Sequence, residues 1–229
     1  MCIRDSADYV QTLTHELKSP LSAIRGASEL LQDGAMAPEQ RQKFLANIAR
    51  ETQRIQEVVD RMLELTLLES RRSLARVEPI ALDALLDEVV TAARDAAMRR
   101  QMNIVREPGA EVEVEGDPFL LRRLLSNLLD NALDFSPDGG EVRVALKRQA
   151  GRALVTVRDH GPGVPGYARE KVFEKFYSLA RPGSGKRSTG LGLSFVRQIA
   201  TLHHGRIELE NHPEGGALAT LSLPLLDSR

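Results

Sequence analysis

Between Val10 and Leu31, apolar side chains recur at alternating steps of three and four: Val10, Leu13, Leu17, Ile24, Ala27 and Leu31, with Pro20 taking the step between Leu17 and Ile24. Such a seam marks a helix that packs against other helices. Pro20 lacks an amide hydrogen and is expected to kink it. The run Asp33–Pro38 breaks the pattern, with Gly34 placed to end one helix and Pro38 to start the next. A second helix carries Leu45, Ile48, Ile55, Val59 and Met62 on one stripe, interrupted by Thr52. Two helices of this length hold too little apolar surface to close a core between themselves. The hairpin is therefore expected to pair with a second copy into a four-helix bundle.

The grammar changes after Arg71-Arg72. A short strand or linker spans Val77–Leu82, and an amphipathic helix spans Leu82–Arg100. Strand-like runs follow at Asn103–Arg106 and Val112–Glu115. Asp117 caps a helix that opens at Pro118 and runs to about Phe135. A turn at Pro137–Gly140 precedes two alternating strands, Glu141–Arg148 and Ala153–Arg158, which form a hairpin about Gly151. A helix near Gly192–His203 and strands at Arg206–Glu210 and Ala217–Leu223 complete the chain. The second half thus reads as an α+β two-layer sandwich with a mostly antiparallel sheet. Residues 1–74 and 75–229 are the expected domains, with Ser73–Pro79 as hinge. The Gly- and Ser-rich stretch Ser178–Thr189 is long enough to be a lid.

The chain has 229 residues, 42% apolar and 28% charged, which is enough for two cores. A net charge of −1 gives no basic field for nucleic acid. The single cysteine, Cys2, allows no intrachain disulfide, and no apolar run is long enough to span a bilayer. Met1–Ser6 fits none of the pattern that follows and reads as foreign sequence or the stub of an upstream linker.

Four segments carry the chemistry. The first is His15-Glu16-Leu17-Lys18-Ser19-Pro20 on the first helix. With Leu13 and Leu17 on the seam, His15 is expected to face water. A neutral imidazole is a competent nucleophile near neutral pH. Glu16 beside it can hold the ring tautomer and take its proton during attack. This is not a zinc H-E-x-x-H site, because Ser19 occupies the second histidine position.

The second is Asn127–Ala132. Asn127 and Asn131 are four apart and share a helix face. A carboxamide oxygen there suits Mg2+, which takes few protein ligands alongside water and phosphate. The third is Asp159-His160-Gly161-Pro162-Gly163, directly after a strand. Its carboxylate can point into a pocket while the glycines let the backbone approach a ligand, and it would accept a hydrogen bond from an adenine amino group. The fourth is Thr189-Gly190-Leu191-Gly192-Leu193 at a helix start, where free N–H groups favour phosphate. No Gly-Lys-Ser/Thr follows, so it is not a Walker loop, and no βαβ unit surrounds it. Between the last two lies Phe173-Glu174-Lys175-Phe176-Tyr177, read as a short amphipathic helix. Lys175, Arg181, Lys186 and Arg187 flank this region.

In this order the segments resemble the sensor histidine kinases of two-component systems, from about Ala7 to Pro224. His15–Pro20 is similar to the family's H box and Asn127–Ala132 to its N box. Asp159–Gly163 and Gly190–Leu193 are similar to its two glycine boxes, and Phe173–Tyr177 to its F box. The resemblance implies a dimeric phosphoacceptor hairpin followed by a Bergerat (GHKL) ATP-binding domain. It implies that His15 is phosphorylated with Glu16 as general base, and that Mg2+ sits on Asn131 with Asn127 near the phosphates. It implies that Asp159 recognises adenine, that Ser178–Thr189 is the ATP lid, and that a response regulator aspartate receives the phosphoryl group. Regulator contacts are expected below His15, at Arg25, Ser28 and Gln32.

Relatives also usually carry a sensor domain and membrane anchor upstream, so the chain is expected to be a cytoplasmic portion of a membrane-anchored protein. Three positions depart from the pattern. Asp134 stands where many relatives carry Lys or Arg directed at phosphate, leaving that charge to lid residues such as Lys186 or Arg187. Ser19 replaces the Thr or Asn that positions water for regulator dephosphorylation. Phe135 replaces a frequent Tyr. The rival reading is a GHKL ATPase or nucleotide-binding scaffold that makes no phosphohistidine.

Overall fold

A computed structural model describes residues 3–32, 36–71, 73–181 and 189–226, and for 3–13, 15 and 16 the backbone alone. The chain divides into two compact units, Met1–Leu67 and Leu68–Arg229.

The first unit is a helical hairpin of α1 (Ile3–Leu31) and α2 (Pro38–Ser70), which runs on past the unit boundary. Pro20 lies inside α1 and is buried, as is Ala27. The apolar stripe of α2 falls on Phe44, Ile48, Ile55, Val58, Met62 and Leu65, with Val58 and Leu65 almost fully covered. That register corrects the expected one at its start and at Val59, which is half-buried while Val58 takes the inner position. Leu45 is 52% exposed, and its neighbour Phe44 takes the inner position. Strict three–four spacing back from Val58 reaches residue 44 rather than 45. Leu21, Leu30, Leu63 and Leu67 are also exposed.

The second unit holds β1 (Glu78–Ala81), α3 (Leu82–Arg99), β2 (Asn103–Arg106), β3 (Glu113–Gly116), α4 (Pro118–Phe135), β4 (Glu141–Gln149), β5 (Arg152–Arg158), α5 (Gly192–Leu202), β6 (Arg206–Asn211) and β7 (Ala217–Pro224). Strands β1 and β3 form an antiparallel ribbon. The main sheet has the order β2-β4-β5-β7-β6. It is antiparallel except at the β2–β4 pair, which is parallel. Its strands alternate: Ala153, Val155 and Val157 of β5 and Ala217, Ala219, Leu221 and Leu223 of β7 are buried, while their neighbours are half-exposed. One face is thus covered and the other left to water.

The cover is a helical layer in which α4 packs against both α3 and α5. Leu120, Leu121, Leu124, Leu125, Leu128 and Leu129 fill the buried side of α4. The helix starts where Asp117 Oδ1 accepts from the N–H groups of Phe119 (3.0 Å) and Leu120 (3.2 Å), with Pro118 in the first turn. Two of its free C-terminal carbonyls, at Leu133 and Ser136 just beyond, accept from the Arg100 guanidinium.

The start of α4 and the end of α5 are joined by His203, which is only 2% exposed. The Asp117 N–H donates to Nε2 (3.0 Å), and Nδ1 bonds the Ile199 carbonyl (2.8 Å). With Nε2 accepting, Nδ1 carries the proton and the ring is neutral. Burial pushes its pKa below the ordinary histidine value, and the Ile199 bond offsets this in part. The unfolded chain then binds this proton more readily than the fold. Stability from His203 is complete above about pH 6.5 and is lost as pH falls through the unfolded histidine value. Thermal unfolding between pH 8 and 5 is expected to show this loss. His203→Leu should remove that component and cost about 1–3 kcal/mol at neutral pH by stranding the Asp117 N–H. Identical pH profiles for the two proteins would contradict the assignment.

Candidate functional site

A cleft open to solvent lies between α4, the ends of β5, β6 and β7, and the stretches Gly163–Leu179 and Gly190–Leu193. Its wall is apolar, built from residues such as Leu128, Val157, Val164, Leu209 and Ala219. A few polar groups converge in it, chiefly Asn131, Asp159 and Ser178. An apolar slot with sparse polar anchors suits a flat heteroaromatic ligand.

Asp159 is 8% exposed and follows the last residue of β5. The register Arg158↔Leu218 brings it beside Ala217 of β7. Its Oδ1 accepts from the N–H groups of Gly161 (2.8 Å) and Ala217 (2.9 Å). Those two bonds aim the carboxyl and leave Oδ2 as its acceptor toward the cleft. Burial raises the Asp159 pKa above the ordinary carboxyl value, and the two backbone donors oppose the rise. The Phe135 carbonyl sits where a side chain at Gly161 would go, so the two segments touch through backbone.

Asn127 and Asn131 lie on one side of α4. Asn127 Nδ2 donates to the Arg123 carbonyl (2.9 Å), which frees its Oδ1. Asn131 Nδ2 is buried and has no hydrogen-bond partner among the described residues. Facing them is the start of α5. A Cβ placed on Gly192 would lie 3.5 Å from Asn127 Oδ1 and 3.7 Å from Asn131 Nδ2. The two asparagines and the unpaired N–H groups of the α5 first turn therefore border one space. Because the two ends of a carboxamide can exchange by rotation, Asn131 can offer this space an oxygen. Among the described residues, no cluster of three or more His, Cys, Asp or Glu side chains could hold a metal by itself. A divalent ion would fit here with Asn131 as a neutral ligand and substrate phosphates as the rest.

Gly190 has φ +65°, and a Cβ there would run into the Phe176 backbone. Phe176 itself has φ +62°, unusual for a bulky residue. Its N–H donates to the Gly190 carbonyl (2.9 Å). The expected short helix over Phe173–Tyr177 is instead a 3₁₀ turn at Lys171–Phe173 followed by this left-handed residue. The correction has a physical cause: only a reversal at Phe176 brings its amide to Gly190.

Of the residues singled out in the sequence, Asn131, Phe135, Asp159, Gly163, Gly190, Gly192 and Leu193 line the cleft. Asn127, Gly161, Lys175, Thr189 and Leu191 do not. Gly161 contributes through its N–H, and Leu191 is buried just before α5. Lys175 Nζ pairs with Glu69 Oε2 at 2.7 Å. His15 and Glu16 are placed as backbone of α1, and their side chains lie outside the described residues, as do Lys186 and Arg187. Ser19 is exposed.

Sequence reasoning missed Asn211. The Val164 N–H donates to its Oδ1 (2.7 Å) and its Nδ2 donates to the Val164 carbonyl (3.0 Å), clamping the loop after Gly163 to β6. Its partner lies 47 residues away, and nothing local signals the pairing.

Residues 6–71 match the family model described as His Kinase A (phospho-acceptor) domain. Residues 116–227 match the one described as Histidine kinase-, DNA gyrase B-, and HSP90-like ATPase. The chain is 41% identical to Sensor protein CreC of Escherichia coli over 216 residues, covering 94% of this chain and 44% of CreC. It spans about half the length of the curated relatives it matches. The solved structure of the mycobacterial sensor histidine kinase MprB is 30% identical, with TM-score 0.58, and covers 66% of this chain and 98% of its own. The histidine kinase ThkA, solved in complex with the response regulator TrrA, shares the fold at TM-score 0.77 and 24% identity, covering 96% of this chain and 61% of its own. With its phospho-acceptor hairpin, its ATPase-type sandwich and these relatives, the chain belongs to the histidine kinase family.

Proposed function

We propose that this chain is the catalytic core of a sensor histidine kinase, which transfers the γ-phosphoryl group of ATP to His15 and from there to an aspartate of a response regulator. The observation that carries the reading is the single cleft that gathers Asn131, Asp159 and the α5 N-terminus, in a chain that also bears His15-Glu16 on a helix. On this reading residues 1–74 form the dimerisation and phosphoacceptor domain and 75–229 the ATP-binding domain.

Asp159 accepts the adenine amino group through Oδ2, and Phe135 and Leu209 close on the base. Asn127, Asn131 and the α5 amides orient the triphosphate tail. Asn131, together with the phosphates, would hold Mg2+, which would supply charge neutralisation at the transferred group. His15 Nε2 attacks the γ-phosphorus as the bond to the β–γ bridging oxygen breaks. ADP leaves with that electron pair, and Glu16 takes the Nδ1 proton. Positioning and electrostatics carry most of such a transfer. The Ser19 hydroxyl, one turn after His15, could orient water for dephosphorylating the regulator.

The exposed leucines at 21, 30, 45, 63 and 67 support a homodimer, since a second hairpin would cover them. Among the described residues no helix is long and apolar enough to cross a membrane. Membrane attachment would come from an upstream segment, as befits a sensor protein, leaving this core in the cytoplasm.

Incubation with Mg·ATP labelled at the γ-phosphate tests the reading. The expected product is a protein-bound label that is acid-labile and base-stable and that moves to a receiver domain. Steady release of labelled phosphate with none retained on the protein would favour the ATPase alternative.

A further inference from the structure

Neighbouring strands of the main sheet place a row of side chains across the cleft floor. The register pairs Ala219 of β7 with Val157 of β5 on one side and with Leu209 of β6 on the other, and all three line the cleft. Strands lie about 4.8 Å apart, so Val157 and Leu209 stand roughly 10 Å from each other. Between them is only the Ala219 methyl. The row is therefore a notch, with a branched side chain at each end and a gap over the middle strand. Its walls are apolar and well packed. Val157 is buried, and Leu209 rests on the cluster that holds Val164, Val172 and Ala217.

The notch has a fixed relation to Asp159. The Asp159 N–H donates to the Ala217 carbonyl (2.9 Å), and Asp159 Oδ1 accepts from the Ala217 N–H (2.9 Å). Ala219 follows two residues along β7 on the same covered face, about 7 Å away. A ligand that bonds Oδ2 of this buried carboxyl thus has apolar space beside it. When the 6-amino group of adenine takes Oδ2, the ribose leaves from N9 toward Asn131 and α5. The purine edge farthest from N9 then enters deepest, and that edge carries C2.

We infer that Ala219 is a specificity-determining residue of the cleft: the notch over its methyl accepts an apolar substituent at C2 of the purine, and a larger side chain there closes the slot to such ligands. The inference rests on the nucleotide reading above and deepens it, from the ring system that binds to the substituted rings that are admitted. Asp159 selects the amino group, and Ala219 sets the size of what lies next to it. Selection at the notch works by shape and desolvation, because no polar side chain stands in the row.

Calorimetric titration of the full chain with Mg·ATP and with the magnesium complex of 2-methylthio-ATP, which adds one apolar group at C2, tests this. Wild type is expected to bind the 2-methylthio compound as tightly as ATP or a few-fold more tightly, the range for burying one small apolar group. Ala219→Val puts two further methyl groups into the notch, and valine suits a strand. It should weaken 2-methylthio-ATP by about tenfold or more while moving ATP by no more than about threefold. Thr220→Val, one residue on and on the opposite face of β7, should leave both affinities unchanged. Wild type that binds ATP and rejects 2-methylthio-ATP overturns this inference and leaves the nucleotide reading standing, and that comparison needs no variant to fold. So does an Ala219→Val chain that binds both compounds as wild type does, or that loses both in the same proportion. A wild-type chain that binds neither compound overturns the nucleotide reading, and this inference with it.

Discussion

Asp159→Asn is expected to lower ATP affinity by about a hundredfold or more while leaving the fold as stable as before, or more so. The asymmetry follows from the two carboxyl oxygens. Oδ1 accepts from Gly161 and Ala217, and an asparagine oxygen can accept both bonds equally well. Oδ2 becomes an N–H donor facing the adenine amino group, so donor meets donor. Stability moves the other way because burial raises the Asp159 pKa. A group that holds its proton more tightly folded than unfolded stabilises the fold below its unfolded pKa. That contribution is lost as pH rises through the folded value. At neutral pH the ionised carboxylate is therefore a cost that asparagine removes. Calorimetric titration paired with thermal unfolding checks both halves. A variant that binds ATP normally, or that loses binding only because it unfolds, contradicts the assignment.

Asn131→Ala should act on transfer rather than on base recognition. The amide is half-buried and Nδ2 has no partner among the described residues, so its removal breaks no hydrogen bond of the folded chain there. What it removes is the neutral ligand for Mg2+ and a positioning contact to the triphosphate. Phosphoryl transfer is expected to fall by about a hundredfold or more, as when one preorganised group is deleted from a charged transition state. Adenosine binding should be unchanged. Transfer at the wild-type rate across a Mg2+ titration would show that Asn131 has no part in it.

Much of this architecture is legible in the chain because the signals are local. Asp117-Pro118 marks the start of α4 by cap chemistry, and the alternation in Ala153–Arg158 marks a strand covered on one face. Gly151, at φ +72° between β4 and β5, marks their hairpin. What stays hidden depends on pairings distant in sequence. Periodicity does not encode strand direction, so the parallel β2–β4 pair could not be read. The inner stripe of α2 is displaced by one residue at Leu45 because two adjacent apolar side chains, Phe44 and Leu45, compete for one position.

At the site the same division holds. Asn131, Asp159 and Gly190 stand in motifs whose residue types state their chemistry. Asn211 clamps Val164 in the cleft wall, yet it is defined by a partner on another element. Phe176 shows a third kind of concealment. Its left-handed backbone is imposed by Gly190 fourteen positions later, and nothing in its own neighbourhood calls for it.

His15 is the residue on which phosphoryl transfer depends. Wild-type chain and His15→Gln should be incubated side by side with Mg·ATP labelled at the γ-phosphate, and ATP affinity measured for both. Acid-labile label is expected on the wild type and none on His15→Gln, with the same ATP affinity in the two. Equal labelling of both proteins, or ATP hydrolysis that the substitution leaves untouched while no label is retained, would contradict that dependence.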